Sequence, residues 1–481
     1  MEKDRCQMVD LMILHGTLLT MDRQRRILND SAIAIEKGHI LDIGTTEELK
    51  GKYYAKKTID ASRKVVMPGL IDTHGHAGHS LIKTVAENVG DDWVPIIERF
   101  YKEGTTPDYW YIDWKLAALE RLKFGVTCGL SYLGSCPRTD EPIYGLKHCE
   151  GVSEIGVRDV LAIGPGRPPF PNKYLKWEGN TSEEIYASFE RNLEVTEEII
   201  QTVKKDHNKI DFTMSPPSLT IGSLTKEGQV KGLPDVVEKV ETMKQIIEKW
   251  ELKLHTHAYS PQITFVDEKF DILGPHVSLA HCTGLSVEEI QILARTNTKV
   301  CHAPSARSII PVRCPVVELL DAGVTVSIAT DGSSPDRTFD LFKELRMAMT
   351  THRTFFKDEN IMPPGKVLEM VTIDAATTLG YENELGSLEV GKKADIIIID
   401  MMKPHLVPVF MIPQRIAYEV SGQDVDTVIV EGEILMENSI VHVDEGSILN
   451  VAQVEAEKAI ERGQLEKYLE IPEDFWGKSK Y

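Results

Sequence analysis

No apolar run in this 481-residue chain approaches the roughly 20 residues needed to cross a bilayer, so no membrane-spanning helix is expected. The opening, Met1-Glu2-Lys3-Asp4-Arg5, is charged and has no apolar stretch behind it, which predicts no secretory signal and a cytoplasmic protein. Cysteine is scarce: seven residues, scattered, none in a C-x-x-C pair. That spacing excludes a clustered thiolate zinc site and a disulfide framework, and it suits reduced thiols. Basic residues are outnumbered, 54 Lys and Arg against 74 Asp and Glu, for a formal net charge of -20. An acidic surface argues against nucleic acid and an anionic membrane as partners and leaves a small-molecule substrate. Low-complexity linkers and short-period repeats are also lacking.

What is present is a large globular chain. Its 42% hydrophobic content supports a sizeable core. A (β/α)8 barrel takes about 250 residues, so the length suits a barrel plus a smaller unit. Both ends read as β structure. Ser31-Ala-Ile-Ala-Ile-Glu-Lys-Gly-His-Ile-Leu-Asp-Ile43 is two alternating runs around Gly38, and Val425-Asp-Thr-Val-Ile-Val-Glu-Gly-Glu-Ile-Leu435 is a second hairpin pattern turning at Glu431-Gly432. The expectation is an α/β protein: a small β-sandwich domain from residues 1–67 and 385–447, a TIM-like barrel from 68–384, and a charged helical tail over 448–481.

The middle alternates strand-like runs with helical periodicity. One helix start is explicit: Ser286-Val-Glu-Glu289 has capping-box spacing. Four of the strand-like runs end in histidine or aspartate. In Asp72-Thr-His-Gly-His76 the two imidazoles share a strand face about 6–7 Å apart, a spacing that lets them hold one zinc- or iron-type ion. In Lys253-Leu-His-Thr-His257 the later histidine sits at the strand end and is the better ligand; His255, one layer deeper, reads as a hydrogen-bonded core histidine. His281 ends Val277-Ser-Leu-Ala-His281, and Asp331 follows Val324-Thr-Val-Ser-Ile-Ala-Thr330. A carboxylate there either takes a proton from a metal-activated water, binds the metal itself, or caps the next helix. In a barrel all these strand ends meet at one rim.

These residues resemble the amidohydrolase superfamily, in its branch of chlorohydrolases and of deaminases of triazines, nucleosides and nucleobases. Pro68-Gly-Leu-Ile-Asp-Thr-His-Gly-His76, Leu279-Ala-His-Cys282, Thr330-Asp-Gly332 with Phe339-Asp-Leu-Phe342, and Leu385-Gly-Ser-Leu-Glu-Val-Gly-Lys-Lys-Ala-Asp395 carry the resemblance, which spans nearly the whole chain. It implies one divalent metal per chain, zinc first, with iron, manganese or cobalt as alternatives, held by His74, His76, His257 and Asp331. It also implies catalysis by Asp331 as general base and His281 as the group that orients water or substrate, in a homo-oligomer. Three positions depart from the pattern. Ser260 stands where the deaminases have a glutamate that protonates the ring under attack, Pro217 replaces a usual histidine, and Arg307 replaces a usual asparagine.

Serine cannot do the proton work of a glutamate. The expected chemistry is therefore metal-dependent hydrolysis of a non-peptide C–N bond of amide, urea or carbamate type, in analogy to phenylurea and thiocarbamate hydrolases. Deamination or dechlorination of a heteroaromatic ring is the alternative, and a non-catalytic metal-holding protein is a third reading that the intact ligand set disfavours. Arg307 and Arg167, the latter in the Pro/Gly-rich loop Gly164-Pro-Gly-Arg-Pro-Pro-Phe170, are candidate substrate-binding residues, with His302, Tyr259 and Ser260 beside them.

Overall fold

The computed structural model describes residues 6–133, 138–205, 209–224, 229–308, 312–471 and 475–477; the side chains of Asn88, Asp91, Arg307 and Ser308 lie outside that description. Its centre is an eight-stranded parallel barrel. The strands are β1 (Leu70–His76), β2 (Val126–Tyr132), β3 (Arg158–Ile163), β4 (Ile210–Met214), β5 (Lys253–Tyr259), β6 (Val277–Thr283), β7 (Lys299–His302) and β8 (Val326–Ile328). They lie side by side in sequence order. Every residue of β1, β2 and β3 is buried, as expected for parallel strands covered on both faces. Side chains close the ring between β1 and β8: Thr73 and Ser327 hydroxyls lie 2.8 Å apart, and Asp72 accepts from the amide and hydroxyl of Thr330 just beyond β8.

Helices cover the barrel. Val287–Thr296 starts at the expected capping box, with Ser286 and Glu289 satisfying each other's backbone amides. Leu341–Phe356 is capped by Asp340, so the cap reading of Asp331 is set aside. An inserted antiparallel hairpin, Asn172–Glu178 with Thr181–Ala187, follows the Arg167 loop and was not anticipated from the sequence.

The chain ends build a second, nine-stranded sheet. Strand Lys64–Pro68 joins them, pairing antiparallel with Ile396–Asp400 and parallel with Gln7–Leu19. Both expected hairpins form, and Gly38, Glu431 and Gly432 take the positive φ such turns demand. Buried aliphatics such as Ile33, Val66, Ile396 and Ile429 form a core of their own. The Arg158 guanidinium, at the start of β3, grips Asp395 with two nitrogens at 2.7 and 3.2 Å and ties barrel to sheet. Helix Glu445–Gly463 packs along Pro107–Lys123 at the chain's end. No helix among the described residues is long and apolar enough to cross a membrane.

Candidate active site

The four histidine- or aspartate-bearing strand ends converge. His74 and His76 stand edge to face with ring centroids 4.9 Å apart. The β1–β2 register slips here, between Asp72 and Gly75. Gly75 is required there: a Cβ would lie 2.3 Å from the Arg121 guanidinium, which is buried against Asp72. From β5, His257 places Nε2 3.3 Å from Nε2 of His76 and stacks on its ring. His281 stacks with His257 at 5.3 Å and with Tyr259 at 5.8 Å. The Asp331 Oδ1 lies 3.1 Å from His76 Nε2 and 3.4 Å from His74 Nε2.

His281 and Asp331 both hold positive φ, 68° and 61°. Such conformations cost non-glycine residues of order 1–3 kcal/mol and persist where the surroundings enforce them. For Asp331 the enforcing contacts are its own amide to the His74 carbonyl at 2.9 Å and the Gly332 amide to Oδ1 at 2.8 Å.

The donor chemistry fits a divalent cation. Burial pushes His76 and His257 below the usual imidazole range and His281 down to about 3, so all three are neutral with lone pairs. Burial raises Asp331, but the Arg337 guanidinium and the adjoining His74 and His76 rings outweigh it and keep the carboxylate ionised. The buried His74 Nε2 makes no hydrogen bond, and the Nε2 atoms of His76 and His257 face each other at 3.3 Å. Two triads have ligand atoms mutually within 4.8 Å: His74, His76 and His257; and His74, His281 and Asp331. Neutral imidazoles with one carboxylate are a zinc-type set. Behind them, His74 Nδ1 meets His255 Nε2, and His255 Nδ1 meets the Ser278 hydroxyl.

A cavity of about 320 Å³ opens over this cluster. Trp93, Ile97 and Tyr101 form an apolar wall, and Arg167 pairs with Glu98 at 2.8 Å across the lining. Arg167 and Tyr259 line this cavity. Ser260 is not on the cavity wall; its amide donates to the Thr283 carbonyl. His302 is not on this cavity wall either: it lines a smaller pocket beside His281 and meets His352 Nε2 at 3.4 Å. The Arg307 side chain lies outside the described residues. Sequence reasoning missed His79, Glu98, Gln262 and Arg337 on the wall. Only His79 carried a signal, as the third histidine of His74-Gly-His-Ala-Gly-His79. It stacks on His76 at 4.9 Å.

Comparison with known proteins gives the family and the fold. Residues 65–435 match the model of the Amidohydrolase family, and the chain belongs to that family. It is 31% identical to a 5'-deoxyadenosine deaminase of Methanosarcina acetivorans, over 95% of this chain and 99% of that one. It is 28% identical to a 5-methylthioadenosine/S-adenosylhomocysteine deaminase of Syntrophobacter fumaroxidans, over 89% and 93%. Its fold superposes on a zinc-bound adenosine deaminase of Xanthomonas campestris with a TM-score of 0.81 at 19% identity, covering 94% of this chain and 99% of the other. A triazine hydrolase from Arthobacter aurescens superposes with a TM-score of 0.77 at 21% identity, covering 93% and 99%. The protein is a hydrolase acting on carbon–nitrogen bonds other than peptide bonds.

Proposed function

We propose that this hydrolase cleaves a C–N bond of amide, urea or carbamate type in a small molecule and releases an amine. One observation carries the reading: at the place of the deaminases' ring-protonating glutamate stands Ser260, and of the described residues on the cavity wall only Asp331 and Glu98 bear carboxylates. Deaminating an aromatic ring needs a second acid; hydrolysing an acyl C–N bond does not.

His74, His76, His257 and Asp331 would hold one divalent ion, zinc first. Such an ion lowers the pKa of water toward ~7 and so makes a nucleophile available at neutral pH. Asp331 accepts the proton of the attacking water and delivers it to the departing amine. His281, neutral and buried, donates a hydrogen bond to the carbonyl oxygen as negative charge develops there. Trp93, Ile97 and Tyr101 exclude bulk water, and Arg167 with Glu98 meets polar ends of the substrate. The catalytic unit of this reading is residues 68–384; residues 1–67 and 385–447 form the supporting β unit, with 448–481 as a tail.

A second reading, hydrolytic deamination of a purine-type ring, is favoured by the relatives, which are adenine-nucleoside deaminases over most of their length. Glu98 is then the remaining wall carboxylate to protonate the ring.

The test is elemental analysis of the purified protein beside a panel of anilides, phenylureas, carbamates, aminopurines and triazines read by mass spectrometry. About one metal per chain, lost in His74→Ala, with amine released from the acyl compounds, supports the first reading. Ammonia from the ring compounds with none of the acyl compounds cleaved replaces it by the second. A protein that takes up no metal ends both.

A further inference from the structure

Arg337 follows Asp331 by six residues, in the loop between β8 and helix Leu341–Phe356. It is 7% exposed and reaches the cavity wall. Its guanidinium is fixed from three sides: Nε donates to the Gly332 carbonyl at 2.9 Å, Nη2 to the Ser334 carbonyl at 2.9 Å, and Nη1 pairs with Asp336 at 3.1 Å. Held this way, Nη2 lies 3.5 Å from Oδ2 of Asp331.

The two oxygens of Asp331 are thereby divided. Oδ1 faces His74 and His76 and accepts the Gly332 amide; Oδ2 faces the guanidinium. A free carboxylate rotates about its Cβ–Cγ bond and offers a cation either oxygen or both. Here rotation would move Oδ2 away from a buried cation that cannot follow, because Nη2 is also held by the Ser334 carbonyl and the other two nitrogens by the Gly332 carbonyl and Asp336. A guanidinium suits this task better than an ammonium, since its planar fork reaches several acceptors at fixed angles.

We propose that Arg337 is a positioning residue that locks Asp331 so that Oδ1 alone is presented to the metal, and that it thereby sets metal affinity. The inference rests on the metal-site reading above. Groups that orient a ligand from behind typically change metal affinity 10–100-fold when removed.

The experiment compares wild type, Arg337→Met and Arg337→Lys. Zinc affinity is measured by chelator competition, coordination by the visible spectrum of the cobalt(II)-loaded protein, and melting of each metal-free protein is recorded alongside. Both variants lose the fork that braces the loop; only Lys keeps a cation beside Oδ2. The expected result is a roughly 10–100-fold loss of zinc affinity in Arg337→Met with a changed cobalt spectrum, and partial recovery of both in Arg337→Lys. If Met and Lys lower zinc affinity equally, or neither changes it, Arg337 only braces the loop and the proposal fails. Should Arg337→Met not fold, wild type and Arg337→Lys decide: identical zinc affinity and cobalt spectra overturn the proposal, and a weaker, spectrally altered Lys variant supports it. A wild-type protein that binds no zinc or cobalt overturns the metal site itself, and this inference with it. Wild type binding one ion while the variants match it overturns this inference alone.

Discussion

Nδ1 of His74 and Nε2 of His255 lie 2.8 Å apart beneath the site, and His255 Nδ1 lies 2.7 Å from the Ser278 hydroxyl. Only one proton arrangement leaves His74 Nε2 a lone pair for a metal. His74 must carry its proton on Nδ1 and donate it to His255, which in turn donates from Nδ1 to Ser278. His255 thus fixes the tautomer and tilt of His74. Replacing it with alanine is expected to weaken zinc binding about 10–100-fold. Chelator competition checks this; an unchanged zinc affinity in His255→Ala would show that His74 orients itself.

Gly332 is where the Asp331 loop and the β1 loop touch. A Cβ there would stand 1.8 Å from His79 Nδ1 and 2.4 Å from its Cε1. The His79 ring has little room to retreat, because it is buried, stacks with His76 and Tyr101, and stands T-shaped to Trp93. Gly332→Ala is expected to cost about 1–3 kcal/mol of stability, the usual penalty of overpacking, and to lower turnover by displacing the cluster. Thermal melting and initial rates measure the two effects; wild-type values for both would mean that the loop yields freely.

Asp395 closes the Gly-Lys-Lys-Ala-Asp stretch by which the chain resembles its family, and its contacts explain why an acid is needed there. It accepts two nitrogens of Arg158 and the amide of Glu431, while its carbonyl accepts the Gly69 amide. Arg158 is 7% exposed, so Asp395→Ala strands a buried guanidinium with only the Glu431 side chain opposite it. Breaking one side of a buried pair costs about 3–5 kcal/mol. Chemical denaturation is expected to show a loss of that order with zinc affinity retained. A stability change below about 1 kcal/mol would mean that Glu431 alone satisfies Arg158.

Much of the site was legible because barrel chemistry is written at strand ends. His74, His76, His257, His281 and Asp331 each close an apolar run, and the fold brings such ends to one rim. The two terminal hairpins were legible from alternation around Gly38 and Gly432. The cavity wall was not. Glu98 sits on an amphipathic helix whose charged residues look alike in sequence, and Arg337 lies in a loop with no periodicity. His255 looked like a core histidine, which it is; that it serves His74 depends on a contact between residues 181 positions apart. His302 ends its strand, and the β6–β7 pairing, with Ala280 opposite Cys301, carries it level with His281, yet it turns into a neighbouring pocket with His352, which strand-end position alone does not reveal.

Asp113 gives the site a pH dependence that needs no metal to measure. Its carboxylate is fully buried and accepts the amides of Gly78 at 2.7 Å and Leu81 at 3.0 Å, which pins the loop carrying His79. Burial pushes its pKa up to about 7, and those amide bonds only partly offset it. The folded protein therefore holds the proton more tightly than the unfolded chain, whose aspartate titrates near 3.8. The resulting stabilisation is complete below the unfolded value and is lost as pH rises from about 4 to about 7. Asp113→Asn does not titrate, and it turns an NH2 toward one of the two amides. It is expected to be less stable than wild type throughout, with the deficit largest near pH 4 and shrinking toward pH 7. Denaturant midpoints of the two proteins across that range measure the difference directly. A deficit that stays constant with pH would show that Asp113 is ionised in the folded protein throughout, with the Gly78 and Leu81 amides outweighing its burial.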